Sequence, residues 1–464
     1  MHGEKKLSFV LLSVLSVFLL VSGCGGQLSD AQDSSKELRI LTNVVGGKDP
    51  AEHKLFEQEI EKHIGLKVKM EKPPTDYDQK LLTAMSSGEQ YDLIYLTKPT
   101  LDILVEQGVL MDLTDRIQKS KILSDPKVIP TEDWEMVRSD DGKLYGVFNK
   151  FEGGTLPIVR ADWMKKLGLK EPKTLDEFYQ VLKAFKEKDP DGNGKNDTYG
   201  LSTAGLYDIQ PFMSAQGVKY KYVIDSNGKR TIPYATEKAV PVYEWLNKLY
   251  EEGILDPNFA TNDTTKMREL FLTDRVGMVT YWDAWVGLFN NIRKTEDPDT
   301  TFEAKGITGA KGPNGYMLRR GDPSLWAIPV NAKNPEGAMK FLEFWHTEKG
   351  NILGTLGIEG HDYVVKDGKY ELTAVGKEHG MDHGAPYPNN TNFKNPIGEL
   401  PGVREAQQLV LSNNSTVEIS TADWPEAEKI VTKYAFKAIM GELPANEAVQ
   451  KMHDELLRAK LIDY

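Results

Sequence analysis

The residues whose types and spacing most specifically suggest chemistry form one run, Asp189-Pro190-Asp191-Gly192-Asn193-Gly194-Lys195-Asn196-Asp197-Thr198-Tyr199-Gly200. Oxygen-bearing side chains fall at positions 1, 3, 5 and 9 of an EF-hand-like loop, the turn glycine falls at position 6, and Lys195 at position 7 can offer its backbone carbonyl. Calcium is the cation such a hard-oxygen set suits. Position 12, where a bidentate glutamate is expected, holds Gly200, so Thr198 or water must complete the coordination. The expected ligands are therefore Asp189, Asp191, Asn193, Lys195, Asp197 and Thr198, and the competing reading is an Asp/Asn/Gly-rich turn with no ion. His379 and His383 are spaced for two zinc ligands on one helical turn, but Gly380 and Gly384 argue against a helix there, and the sequence offers no evident third ligand. No Gly-x-Ser-x-Gly elbow, Gly-x4-Gly-Lys-Ser/Thr phosphate loop or His-Glu-x-x-His is present, and carboxylates are too numerous for a glycosidase-type pair to stand out. Catalysis is not expected.

Cys24 is the one cysteine of 464 residues, which excludes an intramolecular disulfide, a zinc-thiolate cluster and a dithiol redox site. It follows Lys5 and Lys6, an apolar run from Leu7 to Val21, and the small residues Ser22 and Gly23. That order reads as a signal peptide over residues 1–23, since the run is short of the roughly 20 apolar residues a bilayer span needs. Leu20-Val21-Ser22-Gly23-Cys24 resembles a bacterial lipobox, in which the cysteine becomes the diacylglyceryl-modified mature N-terminus. Two acyl chains suffice for stable anchoring where one is marginal. Residues 24–36 then read as the lipidated cysteine and a flexible Gly/Ser/Gln/Asp tether.

The formal charge is −12, and removing the first 23 residues, which carry Lys5, Lys6 and Glu4 and so a net +1, leaves −13. Such a surface is a poor match for nucleic acid or anionic headgroups. The roughly 430 mature residues exceed what one core usually supports, so two lobes are expected. Short apolar runs alternate with helical periodicity, which argues for α/β lobes with mainly parallel sheets. Leu38–Thr42 reads as a strand, Ala51–Ile64 as a helix and Leu66–Met70 as the next strand; Tyr77–Ser87 carries Leu81, Leu82 and Met85 at helical spacing, and Tyr91–Leu96 is a buried-type strand. Thr174 and Glu177 have capping-box spacing, Asn334-Pro335 opens another helix, and the chain from Pro425 onward reads as two or three helices.

These pieces carry a family resemblance over nearly the whole mature chain. The lipobox, Tyr91-Asp92-Leu93-Ile94, Asp141-Gly142-Lys143-Leu144-Tyr145-Gly146, Val276-Gly277-Met278-Val279, Trp326-Ala327-Ile328-Pro329 and Gly357-Ile358-Glu359-Gly360-His361-Asp362-Tyr363, in that order, resemble extracellular solute-binding proteins of the maltose-binding-protein type, lipoprotein branch. The resemblance implies a two-lobed periplasmic-binding-protein-like α/β fold with a ligand cleft between the lobes. The N-terminal lobe is expected to take residues 37–148 plus 330–364 and the C-terminal lobe 152–326 plus 370–464, with crossings near Phe148–Glu152, Trp326–Val330 and Val364–Tyr370. It also implies a monomer that hands a ligand, most readily an oligosaccharide, to the permease of an ABC importer at the outer membrane face. In the family's alginate-oligosaccharide binders the same Asp-rich loop holds a structural calcium away from the sugar. Many relatives have a proline after the Tyr-Gly pair where this chain has Val147-Phe148.

Sugar recognition needs flat apolar faces for the C–H face of a pyranose and polar partners for its hydroxyls. Trp282, Asp283 and Trp285 follow an apolar strand and so lie where strand ends open onto a crevice. Asn149 and Phe151 by the first crossing, Trp326 by the second, His361 and Tyr363 before the third, and Asp92 and Thr97 at a strand end complete the candidate binding set. A peptide or signalling ligand on the same fold, or a secreted carbohydrate-active enzyme, are the alternatives.

Overall fold

The structure is a computed structural model that describes residues 36–464 except 47–49, 74–76, 140, 151–152, 382, 386, 389, 391, 413–418, 420 and 422. The signal peptide, Cys24, the tether up to residue 35, and Phe151 lie outside the described residues. Among the described residues no helix is long and apolar enough to cross a membrane.

The strands in chain order are β1 (Glu37–Leu41), β2 (Lys67–Glu71), β3 (Leu93–Thr97), β4 (Gly146–Phe148), β5 (Gly154–Arg160), β6 (Tyr199–Ser202), β7 (Val223–Ile224), β8 (Arg230–Thr231), β9 (Val276–Trp282), β10 (Ala304–Gly306), β11 (Arg319–Arg320), β12 (Ser324–Ala327), β13 (Tyr363–Lys366) and β14 (Lys369–Leu372). The first sheet has the order β2-β1-β3-β12-β4, and the second β10-β5-β9-β6 with β11 also on β5. β1 pairs in parallel with β2, Glu37 opposite Lys67 through Leu41 opposite Glu71, and with β3 at Ile40 opposite Leu93. The helices His53–Ile64 and Tyr77–Ser87 supply the crossovers that parallel pairing requires.

One strand in each sheet runs against the rest. β12 is antiparallel to both β3 and β4, and β5 is antiparallel to β9, β10 and β11, whereas β6 is parallel to β9. Each reversed strand is the one by which the chain enters its sheet from the other, so no βαβ unit sets its direction. The expectation of a common strand sense therefore holds apart from these two entry strands.

The cores follow the sheets. One cluster joins Leu38, Ile40, Phe56, Leu81, Ile94, Phe148, Trp326, Phe341 and Trp345. The other sheet is covered by Phe178, Leu182 and Phe185 on one side together with the C-terminal helices Trp424–Ile439 and Ala445–Arg458, and by Val286, Phe289 and Phe271 on the other. The helix Leu175–Glu187 begins with a complete capping box: Thr174 Oγ1 accepts from the Glu177 amide, and the Glu177 carboxylate accepts from the Thr174 amide. Asn334 caps Pro335–Trp345 by accepting from the Gly337 amide at 2.9 Å. Such caps contribute about 1 kcal/mol each.

Two expected boundaries need correction. Ser324–Ala327 is a paired strand of the first sheet, so the second crossing precedes Trp326 and the second lobe cannot run to residue 326. Tyr363–Lys366 and Lys369–Leu372 form a two-stranded hairpin rather than a crossing. The chain is still packed on the first core at Ala385 and has joined the second-sheet core by Val403.

Candidate functional site

A cleft of about 400 Å³ opens where the first crossing meets the end of β9. Lys150 and Gly153 come from the crossing; Trp282, Asp283, Trp285 and Leu288 from the end of β9 and the helix Ala284–Glu296; Gly380, Met381, Tyr387, Asn390 and Phe393 from the segment that returns to the second sheet. Asn395, Glu399 and Gln407 close the far side. β9 delivers the tryptophans because its apolar run Val276–Tyr281 is buried at the centre of the sheet while its last residue, Trp282, is only partly covered. Trp285 sits in the first helical turn, its ring 5.5 Å from that of Tyr281 and 4.3 Å below the Arg268 guanidinium. The result is two aromatic groups flanked by amides, a carboxylate and an ammonium, a surface that suits a ligand with apolar faces and hydroxyl edges.

Asp283 has a different part from the one its neighbours suggest. It is buried, its Oδ2 accepts from the Gly154 amide at 3.1 Å, and its Oδ1 accepts from the Ala284 amide at 2.7 Å. It clamps β5 to the helix start, and so sets the floor beneath the tryptophans.

The remaining candidates separate from the cleft. Trp326 is wholly buried, its indole N–H donating to Asn149 Oδ1 at 2.8 Å. Asn149 Oδ1 also accepts from the Trp345 indole at 3.0 Å, and its amide donates to the Gly384 carbonyl at 2.8 Å. Both residues are structural, because the central position of β12 puts Trp326 beneath the helix Pro335–Trp345. Asp92 is buried and accepts from the amides of Arg39, Lys333 and Asn334 and from the Gln90 side chain, so it pins strand ends together rather than facing a ligand. Thr97 precedes the helix Lys98–Glu106 and does not border the cleft. Tyr363 is buried and stacked at 5.4 Å on Tyr370, burial pushing its hydroxyl up to about 12, and His361 leans on Asp362 at 3.2 Å.

The sequence reading missed Lys150, Tyr387, Asn390, Phe393, Asn395 and Gln407. For Tyr387, Asn390, Phe393 and Asn395 the signal was the Asn- and Pro-rich stretch from residue 385 to 401 with two aromatics inside it, which has no helical or strand period to draw attention.

The Asp-rich loop folds on itself. The Gly194 amide donates to Asp189 Oδ2 at 3.1 Å, the Lys195 amide donates to Asn193 Oδ1 at 2.7 Å, and the Asn193 side-chain amide donates to Asp191 Oδ2 at 2.6 Å. Oδ1 of Asp189 and Oδ1 of Asp191 are both buried and receive no hydrogen bond. Burial and then the Asp189 carboxylate beside it raise the pKa of Asp191. Two inward carboxylate oxygens without donors are the arrangement a cation would satisfy. Thr198 is buried, and its hydroxyl donates to the Phe185 carbonyl at 2.7 Å. Asp197 is shared with Arg275 at 2.6 Å.

The sequence and fold match known proteins. Residues 54–354 match the family model described as bacterial extracellular solute-binding protein. The chain belongs to that family. Lipoprotein LipO of Bacillus subtilis (strain 168) is 28% identical over 372 residues, covering 76% of this chain and 73% of LipO. The polygalacturonan/rhamnogalacturonan-binding protein YtcQ of the same organism is 24% identical over 484 residues, 96% of this chain and 94% of YtcQ. Among solved structures, the alginate-binding protein AlgQ2 without calcium ion superposes with a TM-score of 0.65 at 19% identity, covering 93% of this solute-binding protein and 97% of AlgQ2. The two-lobed α/β architecture is thus that of the maltose-binding-type proteins.

Proposed function

We propose that this solute-binding protein is held on the outer face of the cell membrane by a lipid on Cys24, captures an oligosaccharide in the cleft, and delivers it unchanged to the permease of an ABC importer. The observation that carries this reading is the pairing of Trp282 and Trp285 with the amides of Asn390, Asn395 and Gln407 around one cleft at the lobe junction. The tryptophans and Gln407 stand on the second lobe, Gly380 and Met381 on the first, and Asn390 and Asn395 on the segment between them, so a saccharide in the cleft would touch both lobes and its binding energy would favour the closed arrangement. The lobes of this reading are residues 37–148 with 324–385, and 154–320 with 400–464. The sugars in the names of YtcQ and AlgQ2 support the ligand class, and LipO's name supports the anchor. Calcium at Asp189, Asp191, Asn193 and the Lys195 carbonyl belongs to the same proposal; the two donor-free carboxylate oxygens support it. The ion would serve to hold the loop between the helix Leu175–Glu187 and β6, remote from the tryptophans in the chain.

The test is a tryptophan-fluorescence titration of residues 25–464 with neutral and uronate oligosaccharide panels, followed by mass measurement of the recovered sugar. Saturable quenching with intact sugar is expected. Shortened sugar would make this an enzyme, and silence across both panels would transfer the cleft to a peptide or signalling ligand.

A further inference from the structure

Beyond the cleft and the Asp-rich loop, one carboxylate and two imidazoles from the stretch between residues 362 and 383 meet in one buried cluster. Asp362 follows the loop after the helix Glu348–Thr355, His379 ends the helix Ala374–His379, and His383 stands four residues on, past the left-handed Gly380 and Met381. All three are buried, and one ligand atom from each lies within 4.8 Å of the other two. Asp362 Oδ1 is 2.8 Å from His379 Nδ1 and 3.4 Å from His383 Nε2. Bond lengths near 2.0–2.1 Å around a tetrahedral zinc place ligand atoms about 3.3 Å apart, so a small outward shift of one imidazole opens the space.

The surroundings are built for orientation. The second oxygen of Asp362 accepts from the Ile358 amide at 2.8 Å and lies 3.2 Å from His361 Nδ1. On the far side of His379, Nε2 lies 3.4 Å from Glu52 Oε1. With Nδ1 on a metal, the proton of that imidazole moves to Nε2 and points at Glu52, the carboxylate–histidine pairing that fixes tautomer and ring position at metal centres. Gly357, at φ +91°, makes the approach possible: a Cβ there would fall 2.4 Å from Asp362 Oδ2 and 2.7 Å from His383 Nε2.

We propose that Asp362, His379 and His383 form a binding site for a divalent transition metal of the zinc class, which locks the Gly380–Met381 wall of the cleft in place. Two imidazoles are borderline donors that favour zinc over calcium, the carboxylate is a third ligand zinc accepts, and a fourth position is left for water. The consequence for the cleft follows from chain position, since Gly380 and Met381, which line it, lie between the two histidines. Met381 has φ +57°, a conformation costly for its side chain, and two fixed neighbours would hold it there.

The experiment uses residues 25–464, stripped with a chelator, titrated with zinc chloride by calorimetry and separately loaded with cobalt(II). One equivalent of zinc per chain and a visible ligand-field band on cobalt loading are expected, both retained in an Asp189→Asn/Asp191→Asn double variant that disables the Asp-rich loop. His383→Gln should abolish uptake, and Glu52→Gln should weaken it by roughly 10- to 100-fold. Absence of stoichiometric zinc uptake together with no cobalt band in the unmutated chain overturns the site, whatever the folding state of the variants. Uptake undiminished in a folded His383→Gln variant also overturns it. Sugar binding by the unmutated chain is read in the same samples, so failure of the metal site is distinguishable from failure of the oligosaccharide reading.

Discussion

The indole nitrogen of Trp326 donates to Asn149 Oδ1 at 2.8 Å, and the same oxygen accepts from Trp345 at 3.0 Å. One buried amide therefore ties the first crossing to β12 and to the helix Pro335–Trp345. Asn149→Ala would leave the Trp326 indole N–H without its acceptor in an apolar core, while the Trp345 indole would lose one of its two acceptors and keep the Asn149 backbone carbonyl at 3.0 Å. An orphaned buried group costs about 1–3 kcal/mol, so a loss of that order is expected, read as a drop in Tm. An unchanged Tm would mean that water replaces the amide.

Asp283 depends on the absence of a side chain at Gly153. A Cβ built there would lie 2.2 Å from Asp283 Oδ2. Gly153→Ala should therefore push the carboxylate off the Gly154 and Ala284 amides and tilt the helix start that carries Trp285. Sugar affinity should fall along with Tm, and thermal melts with and without sugar separate the two effects. Lost stability with full affinity would show that the tryptophans do not need this floor.

Trp282→Ala and Trp285→Ala should each weaken oligosaccharide binding at least about tenfold, or about 1.4 kcal/mol, through lost stacking area. Trp326→Phe should instead lower stability and leave the affinity of the folded fraction nearly unchanged, because its indole faces the core. Calorimetric titration of the three variants checks the contrast, and similar affinity losses in all three would erase it.

The contrast between these tryptophans also shows where sequence reasoning stops. The helix Tyr77–Ser87 was legible to the residue, since Leu81, Leu82 and Met85 recur at helical spacing along the side that meets the core. The capping box at Thr174 was legible for the same reason: its signal is local. Trp282 ends its apolar run and its strand, whereas Trp326 stands inside the run Leu325–Val330 on a strand flanked by β3 and β4, so the first reaches the rim and the second the core. His379 and His383 could be paired on paper, but their third partner, Asp362, arrives from a hairpin that local pattern did not join to them. The Asn- and Pro-rich wall of the cleft escaped because irregular backbone has no period.

At the Asp-rich loop, calcium added to the chelator-treated protein should raise Tm, since a ligand at 100 times its Kd stabilises by about 2.7 kcal/mol. Asp191→Asn should raise the metal-free Tm by removing a carboxylate forced against Asp189, while abolishing the calcium response. Calcium-independent melting of the unmutated protein would restore the plain-turn reading.

His346 supplies a pH test. It is buried, its Nδ1 donates to the Leu342 carbonyl at 2.8 Å, and burial lowers its pKa from 6.5 to about 4. In the unfolded chain the imidazole takes up a proton near pH 6.5, so between pH 6.5 and 4 the unfolded state binds more protons than the native one. Stability from this group is therefore complete above pH 6.5 and lost as pH falls toward 4, by about 3 kcal/mol. His346→Leu keeps an apolar filler and removes the proton uptake, so its stability should fall less steeply across that window than that of the parent chain. Urea midpoints at pH 7, 6, 5 and 4 measure the two slopes, and parallel slopes would mean that His346 is protonated in the fold despite its burial.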